Sequence, residues 1–427
     1  MALTLVWRAS VMCNIQRRVL RVSTVEFSLA DNRVESDDVR ATVPTNLNIR
    51  ELFPAWSQQR WDYAHSVVDL IVNYLQKLFP DTNGKLPKAI IPCGRFAERM
   101  DKNEVGGLTD ELHEANVITK GGYWNGTCSR SYSIGEGYWG AVTTVPIIMS
   151  VPKRKLLKSR SFSAHVENES LTLRIYHQLR DDLQCLLIDE SAAWNVVKSL
   201  PTKIKRFHNS VALVRLLSNQ RRASVDRFGR RFHTNVTNLN SRLRDLLTVD
   251  GERLVGCDVR NCQMLCLSGI IGTATQDSRK FRDACEQGRL YESLQSSGMS
   301  RDEVKRRLQP YLFGKPRSMR FSNWFSAHYP TIDDYLREWK SQPLTQTERL
   351  INHFNQPHKR TAAKLQQMES KIIIETACAE IKRLKPNAVL VTVHDSILCQ
   401  KVDVEIVRQQ ITKAFLTEGL CCSIKNG

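Results

Sequence analysis

The sequence predicts an α+β fold, on three observations. Apolar residues recur at helical spacing over 61–78 and 365–384 and again after Asp403. Two short apolar runs, 252–258 and 388–399, have the length and composition of strands. The second run is interrupted at His394-Asp395-Ser396 and resumes at Ile397, as in an antiparallel hairpin. A chain of 427 residues has room for two or three domains and a sizeable core. With 41% hydrophobic and 25% charged residues it falls outside the disordered and membrane-bundle classes. No run of 18 apolar residues occurs, so no membrane partner is expected.

The twelve cysteines form no CxxC pair, and the closest set, Cys257, Cys262 and Cys266, is embedded in apolar sequence. That pattern fits reduced, mostly buried thiols in a cytoplasmic protein rather than a disulfide framework or a zinc site. The outlier is charge: 62 Lys+Arg against 44 Asp+Glu leaves +18, which favours polyanionic partners.

Taken in order, residues 1–150 form an N-terminal region of unassigned role. Residues 1–25 carry Arg8, Arg17, Arg18 and Arg21 and no acid, which fits a transit peptide, a mis-assigned start or a basic arm. Tyr63, Val67, Leu70, Ile71, Tyr74 and Leu78 mark a helix, and 109–115 another. Residues 121–140 then hold six of the twenty glycines, interleaved with Tyr123, Trp124, Tyr132, Tyr138 and Trp139. A helix followed by such a hairpin suits a winged-helix-like module near 105–140, whose rings could stack on bases. A plain hairpin burying its rings suits it as well.

Residues 151–250 hold 19 Lys+Arg against 9 Asp+Glu and read as a basic, mainly helical nucleic-acid-binding region. Within it, Lys198, Lys203, Lys205, Arg206, Arg215, Arg221, Arg222, Arg227, Arg230 and Arg231 face only Asp226. A solvated helix face normally mixes signs, whereas one-sign clustering is what phosphate contacts require.

Residues 251–427 carry the chemistry. The run 252–258 ends in Asp258, and a buried helix follows through Met264, Leu265, Leu267, Ile270 and Ile271. The run 388–393 meets His394-Asp395-Ser396 and resumes as Ile397-Leu398-Cys399, exposing Asp395 at a turn. One aspartate at a strand end is commonly a cap or a solvated turn. Two on neighbouring strands would hold two divalent cations, since Mg²⁺ prefers hard oxygen ligands. Between them, Ser300-Arg-Asp-Glu303 is a capping box that starts a helix at Arg301. Arg301, Lys305 and Gln309 follow at four-residue steps, with Phe313-Gly314 at the end. That face could grip a triphosphate, and an ordinary basic surface helix would read the same way. Pro310 is expected to kink it. Leu365, Met368, Ile372, Ala377, Ile381 and Leu384 mark a long amphipathic helix, and Asp403 is expected to cap a last one that Gly419 ends.

In order and spacing, Asp258, Arg301-x3-Lys305-x3-Gln309-x3-Phe313-Gly314 and Val393-His394-Asp395-Ser396 resemble the motifs of the family A DNA polymerases and the related single-subunit RNA polymerases. Gly229-Arg230 with Asn238-Leu239-Asn240 is similar to the stretch preceding that family's first palm motif. The resemblance covers about 225–427 and implies a right-hand palm with an antiparallel sheet and helical fingers, preceded by a thumb-like 151–250. It implies that Asp258 and Asp395 are catalytic and hold two Mg²⁺ ions, and that Arg301 and Lys305 bind the nucleotide phosphates. Phe313 would stack beneath the base, while His394 and Arg230 would touch primer or template. Gln263 stands where DNA-synthesising members carry Glu, a residue tied to rejecting ribose, so the choice between deoxyribo- and ribonucleotides stays open. Gln309 replaces the usual aromatic or Met, and Phe313 lacks a Tyr hydroxyl.

The expected activity is template-directed nucleotidyl transfer on a DNA (or RNA) primer–template with nucleoside triphosphates, in a replication protein of a phage or mobile element. Arg227, Arg231, Lys203, Lys205 and Arg206 are further candidate backbone contacts. A non-catalytic nucleic-acid-binding replication protein with a degenerate polymerase fold is the alternative. His177-x2-Arg180 raises a tyrosine recombinase, but no Tyr lies between Tyr176 and Tyr291 to serve as nucleophile. A two-metal nuclease would need the paired acids but not the Arg301/Lys305 face.

Overall fold

The computed structural model describes residues 39–76, 78, 86–123, 129–150, 153, 174–218, 223–295, 299–315, 320–350 and 356–426. The basic stretch 1–25, together with Trp124, Gly126, Arg221 and Arg222, lies outside them. Of the unit Met1–Arg40 only the start of one strand is described, and Ala41–Gly427 forms the other unit.

Strand β1 (Val39–Pro44) pairs with β5 (Val142–Ile147), and β2 (Ala89–Pro92), β4 (Ser129–Ile134) and β3 (Ile118–Tyr123) form an antiparallel sheet in that order. Helix α1 (Gln58–Leu75) starts where the Ser57 side chain accepts the Arg60 N–H, and it buries Ala64, Val67, Val68, Ile71, Val72 and Leu75. Helix α2 (Glu104–Glu114) begins five residues before the predicted one, and Arg60 ties the two helices by pairing with Glu104 and Glu111. The helix and the hairpin predicted near 105–140 both form, with β2 as a third strand. Tyr132 and Trp139 are buried, whereas Tyr123 is 65% exposed with the Arg130 guanidinium 3.9 Å from its ring centre.

Beyond residue 173, one continuous apolar core runs from Ile175 to Leu420. Its first part carries α3 (Arg174–Asp182), β6 (Leu187–Ile188), α4 (Glu190–Ser199), α5 (Lys203–Leu217) and the two-stranded hairpin β7 (Ala223–Val225) and β8 (Phe232–Thr234). Strands β9 (Leu247–Val249) and β10 (Glu252–Arg253) join β6 in a three-stranded sheet. Then β11 (Val255–Val259) enters the middle of a four-stranded antiparallel sheet, whose order is β12 (Val391–Val393), β13 (Ser396–Cys399), β11, β14 (Ile424–Asn426). This arrangement of helices on small antiparallel sheets agrees with the α+β class.

Around that sheet stand α6 (Cys262–Ile271), α7 (Gln276–Glu286), α8 (Arg301–Phe313), α9 (Arg320–His328) and α10 (Pro330–Ser341). A long rod follows, made of α11 (Lys359–Ser370), a π-helical stretch Lys371–Cys378 and α12 (Ala379–Leu384). Helix α13 (Val404–Thr417) packs on the π stretch and on β11, while α11 packs on α6, α8 and α10. Gly419, at φ +70°, ends α13 as predicted. Asp403 sits at the start of α13 but makes no capping bond; its carboxylate pairs with Lys385 instead. Helix α8 is continuous through Pro310 to Phe313.

The strand before His394 starts three residues later than its apolar run. At Leu390 the backbone N–H donates not to a strand but to Asp182 Oδ2, at 2.9 Å. Asp182 Oδ1 accepts from the buried Lys382 Nζ at 2.7 Å, so one carboxylate joins the end of α3, the rod and the entry to β12. Asp182→Ala leaves the buried Lys382 ammonium bonded to Ala388 O but without a counter-charge, strands a buried N–H, and should cost about 3–5 kcal/mol. Urea unfolding measures it; a loss below about 1 kcal/mol would show the tie to be dispensable.

Candidate active site

Strand β11 alternates: Cys257 and Val259 face the core, which turns Asp258 to the other side of the sheet. Asp258 stands opposite Ser396 of β13 and Lys425 of β14. Asp395 is the second residue of the two-residue turn joining β12 and β13, and its carbonyl accepts the Val259 N–H at 3.3 Å. Residues remote in sequence are thereby neighbours across one pair of strands. The turn requires His394 at φ +57°, a strained left-handed conformation for a residue with a Cβ.

Packing acids this closely shifts them. Burial, then the negative charges of Glu369 and Asp258, push the Asp395 carboxyl up to about 7. Burial raises Asp258 as well, opposed by Lys305, Lys425, Arg244 and Arg260. Partial burial of the His394 ring, with Arg231, His233 and Arg244 nearby, holds the imidazole down to about 4, so it is neutral at pH 7. Asn261 lies three residues past Asp258 at the head of α6, in the left-handed region. It is buried, and neither carboxamide atom has a hydrogen-bond partner among the described residues. Among those residues no group of three or more His, Cys, Asp or Glu side chains is arranged to hold a metal ion.

A third carboxylate, which the sequence reading passed over, belongs to this cluster. Glu369 on α11 is 1% exposed. Its Oε1 accepts from Arg231 Nε at 2.9 Å and Nη2 at 2.7 Å, and its Oε2 accepts from Gln263 Nε2 at 3.1 Å. Glu369 falls four residues after Leu365 on the apolar stripe of its helix. An acid in that position is the signal that would have found it. Arg244, whose Nη1 donates to Leu239 O at 2.8 Å, is likewise visible only in three dimensions.

On α8 the buried stripe is Val304, Leu308 and Leu312, which leaves Arg301, Lys305 and Gln309 along another face. Lys305 is exposed and near enough to Asp258 to oppose the rise in its pKa. Arg301 Nε donates to Glu292 Oε1 at 2.8 Å, and its guanidinium lies 5.2 Å from the centre of the Tyr291 ring. Burial raises Tyr291 to about 12, with Arg301 and Asp395 among the charges acting on it. Phe313 is half-buried and packs against the core.

The basic run 198–231 divides into distinct roles. Lys203 and Lys205 are exposed at the start of α5. Arg206 Nη1 donates to Leu200 O at 2.6 Å, so its guanidinium serves the backbone. Arg215 is buried and donates to Gln76 and Asn73 of the N-terminal region, a structural tie rather than part of a phosphate-binding surface. Arg227 and Arg230 are exposed at the tip of the β7–β8 hairpin, whereas Arg231 points inward to Glu369. Asp226 organises the tip by accepting from Gly229 N at 2.6 Å, Arg231 N at 3.1 Å and His233 Nε2 at 2.8 Å.

No protein-family profile matches this chain, and no curated protein matches it. Among solved structures it is similar to the POL domain of Pol1 from M. smegmatis in complex with DNA primer-template and dNTP. That match has 13% identity and a TM-score of 0.38; it covers 56% of this chain and spans 55% of the length of the other. The described cysteines are free thiols, most of them buried, and no helix among the described residues is long and apolar enough to cross a membrane.

The raised Asp395 has a consequence for stability. The folded chain holds this proton more tightly than the unfolded chain, whose carboxyl titrates near ~3.9. The stabilisation is therefore complete below about pH 4 and is lost as pH rises through about 7. Without divalent ions, Tm should fall across that window, and Asp395→Asn should flatten the fall and raise Tm at pH 8 by about 2 °C or more. Differential scanning calorimetry checks this; parallel pH profiles for the two proteins would refute it.

Proposed function

We propose that this chain is a template-directed nucleotidyltransferase of the DNA polymerase type, extending a nucleic-acid 3′ end. The observation that carries this reading is the adjacency of Asp258 and Asp395 across paired strands, with Lys305 of α8 in electrostatic reach of Asp258. The primer 3′-hydroxyl attacks the α-phosphate of a nucleoside triphosphate, the new P–O bond forms in line, and pyrophosphate leaves with the electron pair of the broken bond.

Asp258 and Asp395 are the residues that would hold two Mg²⁺ ions. The donor set suits a hard divalent cation: two carboxylates on an adjoining strand and turn, each raised by burial, with the orphaned carboxamide of Asn261 three residues past Asp258 in the chain. When bound, such ions screen the charge developing on the attacking and leaving oxygens. The protein's own groups do the rest. Lys305 presents a point charge to the triphosphate. Arg301 joins it by exchanging Glu292 for phosphate, its fork suited to two-point contact. Gln263 and Phe313 are the further candidate nucleotide contacts in this reading. Neutral His394 offers hydrogen bonds rather than charge to the primer end, and Arg227, Arg230, Lys203 and Lys205 hold the nucleic-acid backbone.

Primer extension with Mg²⁺ tests the assignment. Asp258→Ala and Asp395→Ala should each reduce extension by roughly two orders of magnitude or more, as several kcal/mol of charge stabilisation are lost. Lys305→Ala should raise the nucleotide KM roughly tenfold, the loss of one charged contact. Wild-type extension matched by Asp395→Ala would overturn the site; absence of extension with intact duplex binding would leave a non-catalytic replication protein. Binding should weaken steeply between 50 and 200 mM salt, by about 10³-fold if some six phosphates are contacted. A flat salt response in duplex titrations would sink both readings.

A further inference from the structure

Glu369 has no part in that mechanism, yet it is buried beside Asp395 with both carboxylate oxygens engaged. An acid there is electrostatically unfavourable, since it adds a third negative charge to a desolvated pair. Glutamine would accept from Arg231 and reach Gln263 without that repulsion. A buried ion pair is also weak as a source of stability, so folding alone does not account for the carboxylate.

The contacts around it indicate what it does. Arg231 ends the tip of the β7–β8 hairpin, and that tip lies flush on α11. Gln367 Nε2 donates to Phe228 O at 2.8 Å and Ser370 Oγ to Gly229 O at 3.4 Å. A Cβ at Gly229 would stand 2.2 Å from Gln366 Oε1, so only glycine allows the approach. Arg230, next in the chain, takes φ +53° and is exposed. On its other side Glu369 holds Gln263 of α6, five residues past Asp258.

We propose that Glu369 is a positioning residue, whose buried carboxylate clamps Arg231 and Gln263 and so registers the exposed hairpin tip carrying Arg230 against the Asp258–Asp395 edge. The proposal rests on the reading that this edge faces nucleic acid. The charged carboxylate matters because it draws the whole guanidinium fork inward, which sets the direction in which Arg230 leaves the surface. Gln367 and Ser370 hold the hairpin through the carbonyls of Phe228 and Gly229, and Asp226 orders the tip from within.

Binding of a fluorescein-labelled primer–template duplex, followed by anisotropy, tests this through a double-mutant cycle. Arg230→Ala should weaken binding roughly tenfold in the wild-type background, as one lost Arg contact does. In the Glu369→Gln background the same change should cost less than about threefold, because Arg230 is no longer held in place. Arg231→Lys, which keeps the charge and loses the fork, should abolish the coupling in the same way and carries the test if Glu369→Gln does not fold. In extension assays Glu369→Gln should lower kcat with little change in nucleotide KM. Arg230 losses that are equal in all three backgrounds would overturn the proposal. The cycle needs no catalysis: coupling without extension rejects the polymerase reading alone, and extension without coupling rejects the clamp alone.

Discussion

The surrounding structure depends on keeping negative charge out of water around Asp395, whose carboxyl is raised by burial and by the charges of Glu369 and Asp258. Asp258, Asp395 and Glu369 come from a strand, a turn and a helix far apart in the chain; burial disfavours the charge of each, and the negative charges of Glu369 and Asp258 raise Asp395 further. Left alone, such a cluster would neutralise itself or push the elements apart. It is held instead by a shell of cations: Arg231 bonded to Glu369, with Lys305, Lys425, Arg244 and Arg260 around Asp258.

Helix α11 links the elements around that site. It packs on α6, α8 and α10, carries Glu369, and supports the β7–β8 hairpin through Gln367 and Ser370. The hairpin tip, the buried helix after Asp258 and the helix bearing Lys305 are thus referred to one rigid element. At its far end the rod is fixed by Lys382, which shares Asp182 with the entry to β12. The segment leading into Asp395 is therefore anchored at the far end of the rod, through Leu390 and Asp182.

The positive charge is correspondingly mixed in purpose. Arg215 joins the N-terminal region to α5 from within, Arg206 serves a carbonyl, and Arg231 neutralises a buried acid. The exposed charges among the described residues of the run 198–231, Lys198, Lys203, Lys205, Arg227 and Arg230, are the part that long-range attraction to a polyanion can use. Counting basic residues in a window measures net charge well. It measures surface charge badly, because guanidinium groups are common structural donors in partly buried networks.

What the sequence by itself determined was local. Helical spacing placed α1, α6, the rod and α13, and strand–turn–strand patterning placed β12 and β13 around His394-Asp395, because those signals depend only on neighbours in the chain. The boundaries it missed were those set by distant partners: β12 begins late because Asp182 takes the Leu390 N–H, and Asp403 leaves its helix uncapped because Lys385 takes its carboxylate. Tertiary structure alone decided which charges meet. Glu369 was an acid in an apolar stripe until Arg231, 138 residues away, turned it into one side of a clamp. Hydrogen bonds and Coulomb forces act on distance in space, and a sequence records only distance along the chain.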